Sequence, residues 1–137
     1  MAIVRTATAA DIDAVVDLWV RAAGPTRLPS DGGAVVRLLE RDPGALLVAE
    51  EAGEIVGTLI TAWDGWRCHL YRLGVDPRFR RRAIASRLLD AGRERARGLS
   101  ARRLDALVSD DNAAAIAFWQ DAGFDHDDED RRWTLLL

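Results

Sequence analysis

Apolar positions along this chain recur with two periods, and the switches between the periods predict its elements. Ile3 to Thr6 alternates briefly and reads as a strand. Ile12, Val15, Val16, Trp19 and Ala23 then fall three or four apart, predicting a helix that Thr8-Ala-Ala-Asp11 opens as a capping-box variant and Gly24-Pro25 stops. A second helix is expected from 31 to 41, with Val35, Leu38 and Leu39 as its stripe and Asp42-Pro43-Gly44 as its end. Residues 45 to 50 and 55 to 63 form a predicted hairpin around Glu51-Ala52-Gly53-Glu54, with Gly57 as the place for a bulge. The strand from Cys68 to Val75 ends at Asp76-Pro77, because proline has no amide to donate. Ile84, Leu88, Ala91 and Arg95 predict a helix over 84–98. A strand over 103–108 follows, then a helix over 112–121 that Asp111 can cap and Gly123 ends, and a last strand over 132–137. That order implies an α/β (α+β) domain, a mixed sheet with helices on its faces.

Length and composition narrow the picture. At 137 residues the chain fits one domain, 1–137. The single cysteine, Cys68, and the two histidines, His69 and His126, leave no disulfide, no metal-ligand cluster and an expectation of no metal. The first residues carry an acid by Asp11 and no long apolar run, so a soluble, cytoplasmic protein without membrane partners is expected. All 19 basic residues are arginine, and residues 78–103 hold ten of them against Asp90 and Glu94. Residues 125–130 hold five acids in six positions. Such asymmetry fits a polyanionic ligand on one side.

Strand, arginine-rich turn and helix meet at Val75-Asp-Pro-Arg-Phe-Arg-Arg-Arg-Ala-Ile-Ala85. Small residues at Ala83 and Ala85 let a ligand approach the backbone, and the first amides of the helix lie at the positive end of its dipole. This is an anion site made of main chain. The arginines 78, 80, 81, 82 and 87 are open to three readings: a solvated face, grips for phosphate, or a nucleic-acid stripe. Net charge of -3 and a lone aromatic in the stretch, Phe79, put nucleic acid last.

At these residues the sequence resembles the GNAT superfamily of acyl-CoA-dependent N-acyltransferases, whose signature Arg/Gln-x-x-Gly-x-Gly/Ala reads here Arg80-x-x-Ala83-x-Ala85. A second segment, Asn112-Ala-Ala-Ala-Ile-Ala-Phe118-Trp119-x-x-x-Gly123-Phe124, resembles the family's Asn…Phe-Tyr-x-x-x-Gly-Phe. The resemblance covers nearly the whole chain. It implies the GNAT fold, a mixed, mostly antiparallel sheet whose fourth and fifth strands splay apart to admit the cofactor. It also implies an N-acetyltransferase that uses acetyl-CoA as cosubstrate. Leu73, Gly74 and Val75 would offer amides to the thioester, and Arg80, Arg81, Arg82, Ala83, Ile84, Ala85 and Ser86 would wrap the pyrophosphate. Asn112 and Trp119 would border the cofactor arm. The acceptor implied is an amine on a small molecule or a protein, and a homodimer stays open. Two departures stand out: Ala83 replaces the first glycine, and Trp119 replaces a tyrosine able to protonate the leaving thiolate, which indole cannot do.

Proton chemistry sets the remaining requirement. Deprotonating an ammonium of pKa about 10.4 at pH 7 costs about 4.6 kcal/mol, more than releasing a thiol does, so a base matters more than an acid. Alternation puts Arg67, His69, Tyr71 and Leu73 on one strand face. His69 lies eleven residues before Arg80, where the histone lysine acetyltransferase branch carries its general-base glutamate, and imidazole suits proton transfer near neutrality. His69 is the candidate base and Tyr71 the candidate acid, against the plain readings of a polar strand residue and a packed ring. Ribosomal-protein N-acetyltransferases keep a glutamate five residues before the asparagine; here that place is Leu107. Asp64, Glu50 and Asp31 are candidates for attracting a cationic amine. Cys68 faces away from His69, which favours direct transfer over a Cys-His nucleophile. The rival from another class is a module that binds acetyl-CoA without efficient turnover.

Overall fold

The computed structural model describes residues 1–23, 31–80, 82–108 and 112–137; the expected stop at Gly24-Pro25, Arg81 of the anion loop and the Asp111 cap lie outside the described residues. The chain divides into two compact units, Met1–Leu107 and Val108–Leu137.

In the first unit, β1 (Ile3–Thr6) is followed by a 3-10 turn, Ala9–Asp11, and the helices α1 (Ile12–Ala23) and α2 (Gly32–Arg41). The Asp11 carboxylate accepts the Thr8 amide at 2.8 Å, the reach-back half of the expected capping box. Asp31 accepts the Ala34 amide at 2.7 Å and so caps α2. Next come β2 (Leu46–Glu51), β3 (Glu54–Trp63) and β4 (Cys68–Val75). The hairpin turn has Ala52 and Gly53 both at positive φ, 52° and 79°, the geometry whose twist matches the strands it joins. A 3-10 turn, Pro77–Phe79, leads to α3 (Ile84–Gly98) and β5 (Leu104–Ala106).

The sheet runs β1-β2-β3-β4-β5. Its first four strands are antiparallel and β5 joins β4 in parallel, as the fold class anticipates. Helix α1 contributes Val15, Leu18 and Trp19, which pack with Val35 of α2 and with Leu46, Val48 and Ile55 on one sheet face. On the other face α3 buries Ile84, Leu88, Leu89 and Ala96. Gly57 lets α3 sit close: a Cβ there would lie 2.9 Å from Leu88 Cδ1 and 3.0 Å from Ile84 Cγ2. The bulge expected near Gly57 is present, with Val56 as the extra residue between the pairs Ala49↔Gly57 and Glu50↔Ile55. Among the described residues no helix is long and apolar enough to cross a membrane.

In the second unit α4 (Ala113–Asp121) is the regular element. The strand expected over 132–137 is not formed: residues 132–137 have no strand partner among the described residues, and Trp133 and Leu135 stand 95% and 82% exposed. Apolar residues suggested that strand, but a strand exists only when a neighbour accepts its amides, and the acid-rich run before it supplies none.

Candidate active site

Strand β4 has two dissimilar halves. Over Cys68–Leu70 it is paired on both edges, with β3 by Trp63↔Cys68, Ala62↔His69 and Thr61↔Leu70, and with β5 by Cys68↔Leu104, His69↔Asp105 and Leu70↔Ala106. Pairing with β5 stops there while β4 continues to Val75, so among the described residues the edge over 71–75 that faces β5 has no strand partner. This is the splaying the fold class implies. Asp76 donates its amide to Val56 of β3 at 2.8 Å, so strand alternation turns the amides of Val75 and Leu73 toward the open edge.

The second half is also bulged. The register passes from Ile60↔Tyr71 to Thr58↔Gly74, so Leu59 faces two residues, Arg72 and Leu73. Arg72 sits in the left-handed region, φ 53°. The bulge corrects the expectation that Leu73 shares a face with His69 and Tyr71. Ile60 and Thr58 are two apart and share a face of β3, so their partners Tyr71 and Gly74 share the corresponding face of β4.

Asp76, 1% exposed, anchors the exit from β4. Its carboxylate accepts the Arg78 amide at 2.9 Å, Arg78 Nε at 3.2 Å and Nη2 at 3.0 Å, and Arg21 Nη2 of α1 at 3.3 Å. The Arg78 guanidinium foremost, against the opposing effect of burial, holds this carboxyl at a pKa of about 2. The loop then closes on Ala83, at φ 59° and ψ 18°, a left-handed alanine in the place of the signature glycine. The Arg87 amide donates to the Ala83 carbonyl at 3.0 Å as α3 begins, leaving the amides of Ile84, Ala85 and Ser86 ahead of the helical bonding pattern. Most arginines of the stretch point their charge at the protein instead. Arg82 pairs with Glu51 at 3.1 Å, Arg78 pairs with Glu54 as well as Asp76, and Arg87 donates to the Ala2 carbonyl. The Arg78 and Arg82 guanidinium groups lie 5.4 and 5.1 Å from the Phe79 ring centroid. Arg80 makes one long contact, 3.4 Å to the Ala22 carbonyl.

His69 is partly exposed, with Nδ1 3.9 Å from Asp105 Oδ2 across β4 and β5, and its ring centroid is 6.2 Å from that of Tyr71. Tyr71 is 38% exposed, so it is not a core ring. Cys68 is fully buried and burial raises its thiol pKa, which keeps it protonated and out of nucleophilic chemistry. The three carboxylates considered for attracting an amine have local structural work: Asp64 accepts the Trp66 and Arg67 amides at 2.8 and 2.7 Å, Asp31 caps α2, and Glu50 pairs with Arg5.

In the second unit the Asn112 side-chain oxygen Oδ1 accepts the Ala115 amide at 3.0 Å and caps α4. The helix ends in a Schellman motif. Gly123, at φ 92°, donates to the Gln120 carbonyl, and Phe124 donates to the Trp119 carbonyl, each at 3.0 Å. Trp119 meets Phe124 edge to face at 4.8 Å between centroids, the apolar contact that accompanies this cap.

Sequence reasoning missed Trp19, Thr58, Arg72 and Asp105 as shapers of this region. Trp19 lies on the apolar face predicted for α1, and Asp105 falls inside the strand expected over 103–108. A hydroxyl inside the apolar run Ile55-Val-Gly-Thr-Leu-Ile60 was the available signal for Thr58, since a buried hydroxyl needs a partner.

The model of the Acetyltransferase (GNAT) family matches residues 12–124. An acetyltransferase of Pectobacterium atrosepticum is 34% identical over 110 residues, 80% of this chain and 78% of that protein. Among solved structures, Ard1 from Thermoplasma volcanium superposes with a TM-score of 0.80 at 24% identity, covering 90% of this chain and 82% of that one. AAC(6')-Iy, in complex with the bisubstrate analog CoA-S-monomethyl-acetylneamine, gives 0.80 at 16% identity, covering 100% and 99%. At those identities the two structures speak for the fold. The chain belongs to the GNAT family, and the class of protein is thereby an N-acetyltransferase.

Proposed function

We propose that this enzyme transfers the acetyl group of acetyl-CoA to a primary amine, on a small molecule or a protein, by direct attack within a ternary complex. The observation that carries the reading is the run from the open edge of β4 through the Asp76-anchored loop to the first amides of α3. These residues fit coenzyme A. An extended arm needs an unpaired backbone edge, which 71–75 offers. A pyrophosphate needs convergent amides at a helix start, which Ile84, Ala85 and Ser86 offer after the left-handed Ala83. Arg80 is the described loop arginine with the least internal engagement, whereas Arg82 would first have to leave Glu51. For Asn112 and Trp119 the support is the family motif, and their bonds described above are internal to the second unit.

Acetyl-CoA supplies an activated acyl group on a thiol leaving group. The amides of Leu73 and Val75 polarise its carbonyl. His69 accepts the ammonium proton, directly or through one water, and the neutral amine forms the C–N bond as the C–S bond breaks. The thiolate needs little help because a thiol is a good leaving group near neutrality; the second proton leaves the attacking nitrogen as the amide forms and goes to the thiolate, and Tyr71, exposed on the face of His69, is available to relay it. Asp105 is placed to balance the charge that His69 gains.

The test is thiol release from acetyl-CoA across a panel of amines, polyamines, aminoglycosides and peptide N-termini. Turnover with one class names the acceptor. Tight acetyl-CoA binding with no release above the hydrolytic background in any class would instead favour a binding module.

A further inference from the structure

The bulge of β4 is held by a buried relay whose donors and acceptors come from three elements. Trp19 Nε1 of α1 donates to Thr58 Oγ1 at 2.8 Å, and Thr58 Oγ1 of β3 donates to the Arg72 carbonyl at 2.8 Å. Thr58 is fully buried and Trp19 nearly so. The Arg72 guanidinium lies 4.8 Å from the Trp19 ring centroid, so the same indole reaches the bulge indirectly through its N–H, by way of Thr58, and directly through its face. One hydroxyl thus receives one proton, gives its own, and leaves neither indole nor carbonyl unpaired.

We propose that Thr58 is a positioning residue for acetyl transfer, acting through Arg72 to keep the bulge that brings the two working parts of β4 onto one sheet face. Without the extra residue, strand alternation would put Tyr71 and Gly74, three positions apart, on opposite faces, and His69 would part from Gly74 with it. With it, Tyr71 pairs with Ile60 and Gly74 with Thr58, both on the face where α1 lies; a Cβ on Gly74 would meet Ala22 of α1 at 3.8 Å. Thr58 stands directly across from Gly74, so the residue that locks the bulge also pairs with the segment whose opposite edge is open. A non-glycine residue at φ 53° is costly by itself, and the bonded carbonyl is what holds Arg72 there. The proton-accepting side chain and the acyl-binding edge are therefore set against each other by a threonine that touches no reactant.

This inference rests on the acetyl-transfer reading, and the experiment separates the two. Thr58→Val keeps the volume and removes the hydroxyl; Thr58→Ser keeps the hydroxyl. In folded protein the valine variant is expected to lose at least tenfold in kcat, with acetyl-CoA Kd within about threefold of wild type because the phosphate loop is untouched. The serine variant should recover most of the loss. Should valine impair folding, the hydroxyl is removed by Thr58→Ala instead, and the pair Thr58→Ala/Arg72→Gly and Thr58→Ala/Arg72→Ala decides, because both lack the guanidinium and differ only in backbone freedom. Glycine holds positive φ unaided, so the glycine variant should turn over several times faster. Equal rates in that pair, or Thr58→Val with unchanged kcat, would overturn the proposal, as would kcat and Kd worsening together in proportion to lost stability. A wild-type enzyme that releases no thiol with any amine would instead strike the acetyl-transfer reading itself.

Discussion

The two parts of β4, 68–70 and 71–75, are one continuous strand put to different uses. Residues 68–70 are held on both edges by ordinary pairing, and their side chains alternate as a regular strand requires, Cys68 and Leu70 inward, His69 partly open. Residues 71–75 lack the β5 partner, carry a left-handed residue and need a side-chain relay and a buried carboxylate to stay in place. The regular half can present a side chain because its backbone is fully committed. The irregular half can present backbone because it is not. What the second half forgoes in pairing is supplied from outside the strand, by Thr58, Trp19 and Asp76.

That contrast can be broken most severely from Gly57, which pairs with Val75 and underlies α3. Gly57→Ala puts a methyl 2.9 Å from Leu88 and 3.3 Å from the Gly74 carbonyl, so α3 must shift. The expected loss is about 1–3 kcal/mol of stability by urea unfolding, with weaker acetyl-CoA binding, since the loop and the helix start move together. Stability within 0.5 kcal/mol of wild type, roughly the scatter of a surface change, would show that the irregular half does not depend on this close approach.

The Asp76 anchor makes a pH-dependent prediction. Its folded pKa of about 2 lies below the ordinary 3.8, so its contribution is complete above about pH 4 and is lost as pH falls through the folded value. A shift of that size corresponds to about 2 kcal/mol. Melting temperatures from pH 6 down to 2 should show Asp76→Asn less stable than wild type at the upper end, with the gap closing toward pH 2 as the wild-type carboxyl becomes neutral. A gap that stays constant over that range would mean the charge is not what anchors the loop.

The smallest effect is expected at Ala83. Left-handed alanine costs about 1 kcal/mol that glycine does not incur, partly offset by the greater freedom of glycine in the unfolded chain. Ala83→Gly should leave stability equal or raise it by up to about 1 kcal/mol, read as a small rise in Tm. A clear fall would argue against the left-handed loop.

The opening strand, the helices and the hairpin were legible because each has a period and a punctuation: Asp31 before α2, Gly53 in the turn, Pro77 after β4. The strand–turn–helix path of the arginine-rich loop was legible for the same reason, and Ala83 holds the positive φ at the position where the family signature has glycine. The bulge was not. A bulge leaves the apolar pattern intact on either side and shows only in which residues face each other, and pairing is a property of two strands together. The engagement of Arg78 and Arg82 was hidden likewise, because Glu51 and Glu54 lie more than twenty residues earlier and reach the loop only through the folded hairpin. The tail over 132–137 failed in the opposite sense, an apolar pattern with no neighbour to pair with.

The division of labour within β4 is tested most directly by thermal unfolding with and without acetyl-CoA, for wild type and His69→Ala side by side with their turnover. At about 100 times Kd the ligand should add about 2.7 kcal/mol to both proteins alike, while turnover near neutral pH and low acceptor is lost only where the imidazole is missing. No stabilisation of the folded wild type, or an acetyl-CoA shift that disappears with His69, would contradict the assignment of binding to one half of the strand and proton transfer to the other.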